Sequence, residues 1–210
     1  MSETRRLARA FRPGRPALVT YLMAGYPDRE ASLECLEAVT RAGTDLIELG
    51  VPYSDQLADG PVIVQASEAA RAAAGGRFGL TETLEVLAEF RRRVSEGPPV
   101  AIMCYLNPLM VAGFTGAADA IVEAGGDGVV VPDMPPEAAG PWLAASRGRL
   151  DTVFLAAPTS TPERLAKVGS ASTGFVYCVS TAGITGERSS LPPELADTVA
   201  NVKAHTDLPV

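Results

Sequence analysis

The chain has 210 residues, and its 18 Lys+Arg against 25 Asp+Glu give a formal net charge of −7; this excludes nucleic acid and anionic membrane surfaces as natural partners, since both are bound through basic patches that release counterions. At 47% hydrophobic and 20% charged it has the composition of a globular protein able to bury a sizeable core, and the length predicts one domain over 1–210. Cys35, Cys104 and Cys178 are odd in number and far apart, so they read as reduced thiols, and an N-terminal apolar run of only about eight residues suits neither a leader nor a membrane span, which points to a cytoplasmic protein.

In chain order, β-rich apolar runs alternate with amphipathic stretches. Strands are predicted at Ala17–Ala24, Thr44–Leu49, Val100–Tyr105, Gly128–Val131, Thr152–Ala157 and Gly174–Val179, with Leu208–Val210 opening a seventh. Nearly continuous apolar runs of this kind suit parallel strands covered on both faces. Helices are predicted near Asp28–Ala42, Pro61–Ala74, Thr81–Ser95, Ala117–Ala124, Pro136–Ser146, Pro162–Val168 and Pro193–Ala204, with Gly43, Gly75, Gly125 and Gly169 marking ends. The βαβα alternation, without a GxGxxG after the first strand, predicts a (β/α)8 TIM barrel over an open doubly wound sheet.

Composition narrows the chemistry. The basic set is 16 Arg and only 2 Lys, Lys167 and Lys203, and His205 is the one histidine. A histidine metal cluster is therefore impossible, and neither lysine is placed for Schiff-base chemistry. Carboxylates remain, and in a barrel they matter at the C-terminal ends of the strands. Glu48 interrupts an otherwise apolar strand, where an ionised carboxylate is costly unless paired. Asp59 follows eleven residues later, just before Gly60-Pro61. Two carboxylates in one pocket suit proton transfer; the alternatives are a rim Glu48 paired with arginine and an Asp59 that caps the next helix. The small, polar loop 180–190 reads either as a surface connection or as a lid whose backbone N–H groups meet an anion. Tyr21 and Tyr177 each need a partner for the hydroxyl.

Six segments go further: YLMAGYPD (21–28), ELGVPYSDQLADGP (48–61), MCYLNPL (103–109), DGVVVPDMPPE (127–137), FLAAPTSTPERL (154–165) and GFVYCVSTAGITG (174–186). Together and in this order they resemble the tryptophan synthase alpha chain. That resemblance implies a (β/α)8 barrel that cleaves indole-3-glycerol phosphate to indole and glyceraldehyde 3-phosphate by a retro-aldol reaction. It implies a beta-chain partner in an α2β2 heterotetramer, and pyridoxal phosphate in that partner, with no cofactor in this chain. Glu48 matches the general acid/base, and Asp59 matches the carboxylate that holds the indole N–H. Tyr21 and Met103 match positions lining the indole pocket, and Tyr177 matches a tyrosine beside the catalytic glutamate. Thr185 matches a residue that bonds the aspartate on closure, and Gly186 one that approaches the phosphate. A stand-alone lyase releasing free indole, and a non-catalytic regulatory subunit, are the rival readings. Two departures stand out. Gln56 replaces the family's proline, which predicts a looser loop before Asp59. The resemblance also runs out within the seventh strand, so the expectation is about six and a half of eight units, with the later phosphate loops outside the sequence.

Overall fold

A computed structural model describes residues 6–181 and 190–210. Five parallel strands form one sheet in sequential order: β1 (Val19–Met23), β2 (Leu46–Gly50), β3 (Val100–Met103), β4 (Gly128–Val130) and β5 (Asp151–Val153). A second parallel pair, β6 (Leu155–Ala156) and β7 (Tyr177–Cys178), continues the order. Among the described residues the helices are α1 (Arg29–Arg41), α2 (Pro61–Ala73), α3 (Leu80–Arg93), α4 (Leu106–Ala112), α5 (Phe114–Glu123), α6 (Gly140–Ser146), α7 (Pro162–Ala171) and α8 (Leu195–Lys203).

The period-two alternation of strands divides the apolar residues into two bodies. Ile47, Leu49, Val100, Ile102, Val129, Phe154 and Val176 point outward and pack with the helices into the large core, alongside Leu33, Leu36, Leu87, Phe90 and Trp142. Leu46, Ala101, Val130, Val153 and Phe175 point the other way into a smaller cluster shared with Val19, Met103, Leu155 and Tyr177. Residues from all seven strands thus meet around one interior, which is the inside of a barrel and not one face of an open sheet. Its lower end is filled by a 3-10 turn, Leu7–Ala10. Leu7 is fully buried there, and its N–H donates to Asp151 Oδ2 at 2.8 Å.

Local chemistry sets the element ends. Asp28 caps α1 by accepting the Ala31 N–H, and Thr161 caps α7 by accepting the Arg164 N–H. Pro61 and Pro162 open α2 and α7, where no helical N–H is needed. Gly43 and Gly125 follow α1 and α5 with φ of 91° and 88°, the left-handed conformation that stops a helix.

Several expectations change, and one helix is new. Gly169 is inside α7, which runs on to Ala171; a Cβ there would lie 2.8 Å from the His205 carbonyl oxygen, so close approach explains this glycine. The predicted helix Pro136–Ser146 is a 3-10 turn, Pro136–Ala138, followed by α6. α4, which no periodicity announced, starts with the Leu106 N–H held by Asp133 Oδ1 at 2.8 Å. The predicted fifth strand divides at Phe154, whose N–H leaves the ladder for the Ser172 hydroxyl at 3.2 Å, so that β5 pairs with β4 and β6 with β7. Leu208–Val210 lies beside the chain before β7, with the Val176 N–H donated to the Pro209 carbonyl at 2.9 Å. Among the described residues no helix is long and apolar enough to cross a membrane.

Candidate active site

Strand β2 supplies the first carboxylate. Leu46, Glu48 and Gly50 share the inward face of a strand whose five residues are all buried, so Glu48 enters the barrel interior by the same alternation that sends Ile47 and Leu49 to the helices. It is 4% exposed, and its Oε1 is buried with no hydrogen-bond partner among the described residues. Burial, reinforced by the negative charge of Asp59, pushes the Glu48 carboxyl up from 4.5 to about 7. Among the described residues no arginine pairs with Glu48 and no cation neutralises it.

The loop from β2 to α2 supplies the second. Asp59 stops one residue short of capping: Gly60 is the residue at the N-cap of α2, with no side-chain cap bond. The half-buried Asp59 side chain turns instead toward the third strand's end, where Oδ2 accepts the Tyr105 hydroxyl at 3.1 Å and the Gln56 amide Nε2–H at 3.1 Å. Burial raises its proton affinity, and these two donors work against that rise.

Tyr105 is itself held in place. Its hydroxyl accepts the Ala58 N–H at 3.0 Å, so its proton is directed at Asp59. Its ring packs on Tyr53 at 5.3 Å between centroids, and the Tyr53 hydroxyl accepts from Asn107 Nδ2 at 3.1 Å. Ser67 of α2 closes the other side, accepting the Tyr53 N–H at 3.0 Å and donating to the Tyr53 carbonyl. The loop that the sequence predicts as loosened by Gln56 is therefore tied at Tyr53, Gln56, Ala58 and Asp59.

Tyr21 and Tyr177 flank the pair. Tyr21 stands opposite Glu48 in the β1–β2 register. Burial raises its phenol, and the negative charges of Asp59 and Glu48 add to the rise, so it borders both carboxylates. The space for its ring comes from Gly50, where a Cβ would fall 2.2 Å from the Tyr21 hydroxyl oxygen. Tyr177, on the inward face of β7, is pushed up to about 12, first by Glu48 and then by burial. Met103, at the end of β3, packs against the interior cluster. The structure thus brings Glu48, Asp59, Tyr21, Tyr177 and Met103 to one end of the barrel interior. Thr185 and Gly186 lie outside the described residues.

The sequence reading missed Tyr105, and it read Gln56 only as the loss of a proline, whereas its side chain donates to Asp59. The signal for Tyr105 was an aromatic hydroxyl two residues after Met103, at the end of an apolar strand, where a phenol needs a polar partner. Lys167 bonds Glu137 at 3.2 Å on the surface, and His205 Nδ1 meets the Asn201 carbonyl at 2.8 Å, so neither side chain serves this end of the barrel.

Chemically, the arrangement pairs a buried carboxyl whose proton affinity is raised to about 7 with a second, half-buried carboxylate held by two donors. The first can give and take a proton; the second can hold an N–H and offset a positive charge.

Comparison with known proteins agrees with this geometry. The model of the family described as "Tryptophan synthase alpha chain" matches residues 7–210. The tryptophan synthase alpha chain of Mycobacterium intracellulare is 43% identical over 198 residues, covering 94% of this chain and 71% of that protein. Among solved structures, Mycobacterium tuberculosis tryptophan synthase superposes with a TM-score of 0.85 at 41% identity, covering 99% of this chain and 79% of that chain. The tryptophan synthase subunit alpha from Legionella pneumophila gives a TM-score of 0.82 at 33% identity, covering 93% of this chain and 71% of that one.

Proposed function

The chain belongs to the tryptophan synthase alpha-chain family, and from that premise we propose that Glu48 and Asp59 are the two groups that carry its reaction, the retro-aldol cleavage of indole-3-glycerol phosphate to indole and glyceraldehyde 3-phosphate. The observation that carries this reading is Glu48: a carboxyl buried in the barrel interior, its Oε1 without a hydrogen-bond partner among the described residues and its affinity for a proton raised to about 7.

Breaking the carbon–carbon bond needs an electron sink. Glu48, protonated, gives its proton to the indole ring carbon that bears the side chain, and the ring becomes a cation. Asp59 accepts the ring N–H and offsets the positive charge; a charge-assisted bond in a pocket shielded from water is where such an interaction counts most. Glu48, now a carboxylate, accepts the proton of the adjacent glycerol hydroxyl. The carbon–carbon bond breaks, its electron pair restores the aromatic ring, and the oxygen left behind becomes the aldehyde. One proton is given and one is taken, so the enzyme returns to its starting state. A group with a proton affinity near the working pH suits both halves. Tyr21 and Met103 line the indole pocket, Tyr177 borders Glu48, and Thr185 and Gly186 act in closure and phosphate binding.

The chain is a carbon–carbon lyase of the tryptophan synthase complex, working in the cytosol. Its partner is a beta chain, which holds the pyridoxal phosphate and takes the indole, in an α2β2 assembly. Exposed apolar side chains support a docking surface around the site: Leu57 and Val62 flank Asp59 at 74% exposed each, and Val111 of α4 is 81% exposed beside Met110. The two groups are linked by the Ala58–Tyr105 and Tyr53–Asn107 bonds. Isolated apolar residues are ordinary, but a set ringing a site mouth suits a partner.

The test is turnover of indole-3-glycerol phosphate, with and without added beta chain, by the protein and its Asp59→Asn variant. Loss of about a hundredfold or more in a variant with unchanged circular dichroism supports the reading. Unchanged turnover removes Asp59 from the chemistry, and activity indifferent to the beta chain favours a stand-alone lyase.

A further inference from the structure

Both donors to Asp59 converge on one oxygen. The Tyr105 hydroxyl and the Gln56 amide each lie 3.1 Å from Oδ2, and Oδ1 is engaged by no donor among the described residues. Tyr105 is fixed by its own bond from Ala58 and by the Tyr53 ring. Gln56 reaches Asp59 across the turn Leu57-Ala58, three residues away in the same loop. Gln56 therefore contributes, through its side chain, a restraint on this carboxylate.

We propose that Gln56 is a positioning residue for the cleavage: its amide N–H pins Oδ2 so that Oδ1 is presented to the ring N–H of the substrate. The inference rests on the reading of Asp59 as the acceptor of that N–H. With one donor, the carboxylate can swing about its Cβ–Cγ bond and offer either oxygen; with two donors on the same atom from different directions, one orientation is selected. A hydrogen bond to the ionised form also opposes the rise in proton affinity that burial imposes, and a protonated Asp59 would be a poor acceptor for a developing cation. Gln56 thus acts on both the aim and the charge of Asp59 without touching the substrate.

The variants are Gln56→Met, which keeps the length and removes the N–H, and Gln56→Glu, which sets a second acceptor against Asp59. Each is assayed with the beta chain present for kcat/KM between pH 5 and 9, beside a thermal melt. Gln56→Met should lower kcat/KM about tenfold and move the acid limb, governed by Asp59, to higher pH. Gln56→Glu should move that limb further in the same direction, because a neighbouring like charge disfavours ionisation. Melting should stay close to that of the parent in Gln56→Met. An acid limb that stays in place in both variants overturns the proposal, whether or not the rate falls, because a purely structural role would lower activity without moving it. Asp59→Asn in the same series separates the two readings: if it retains turnover the site assignment fails, whereas if it is inactive and the Gln56 variants keep the parent's profile, only the role of Gln56 fails.

Discussion

Replacing Glu48 by glutamine should remove the cleavage activity and, above neutral pH, make the protein more stable. The carboxyl sits at 4.5 in an unfolded chain and at about 7 in the folded one. Each pH unit of that gap is worth about 1.4 kcal/mol, so ionising the buried group costs the native state about 3 kcal/mol. The sign follows from the folded value being the higher. Below pH 4.5 both states hold the proton and no cost arises. Between 4.5 and about 7 the unfolded chain ionises while the folded one still holds its proton, and stability falls. Above about 7 the full cost is present and no longer changes. Glutamine has a similar shape and does not titrate, so the difference in unfolding free energy between variant and parent should widen by about 2.5 kcal/mol from pH 5 to pH 8.5. Urea unfolding of both proteins at the two pH values measures it, and common titrations elsewhere cancel in the difference. Turnover should fall by about 10²–10⁴, the range for removing a general acid/base. A stability difference that stays flat with pH would refute the reasoning, since Glu48 would then ionise as freely in the fold as outside it.

Tyr105→Phe removes the hydroxyl that joins Ala58 and Asp59; chemical unfolding should register a loss of about 1 kcal/mol from the lost hydrogen bonds, and the acid limb of kcat/KM should move up. Gly50→Ala puts a methyl 2.2 Å from the Tyr21 hydroxyl oxygen, against a half-buried ring; about 1–3 kcal/mol of stability should be lost, and substrate binding should weaken as Tyr21 is displaced. Leu7→Ala empties the lower end of the barrel, where Leu7 is fully buried against Val153 and Phe175. It should cost about 2–5 kcal/mol in urea unfolding while kcat and KM stay near the parent values, because the site is at the other end. Equal losses of stability and of turnover per folded molecule would argue that the plug and the site are coupled.

Much of the barrel was legible from pattern alone. Apolar runs bounded by proline, glycine and capping residues mark β1 to β4 and most helices to within a few residues, because these signals depend on near neighbours in the chain. Where a boundary depends on a distant partner, pattern fails. Phe154 belongs to a continuous apolar run, and only the Ser172 hydroxyl, 18 residues on, takes its N–H out of the ladder. The start of α4 depends on Asp133, 27 residues away. Nothing local marks Leu7, whose burial depends on the barrel it fills.

The site divides the same way. A glutamate at an even step among inward residues of an apolar strand is a local fact, and strand periodicity alone sends Glu48 into the interior with Leu46 and Gly50. Asp59 drew attention through its turn, yet its local setting also fitted a helix cap. Tertiary structure set the cap reading aside, by bringing Tyr105 from the end of the next strand to Oδ2 and leaving the cap position to Gly60. It also changed the meaning of Gln56, from the absence of proline to the presence of a donor. The reason is physical: side-chain direction along a strand is set by backbone geometry within two residues, whereas the partners of a buried charge are set by strand register, which brings together residues 46 apart.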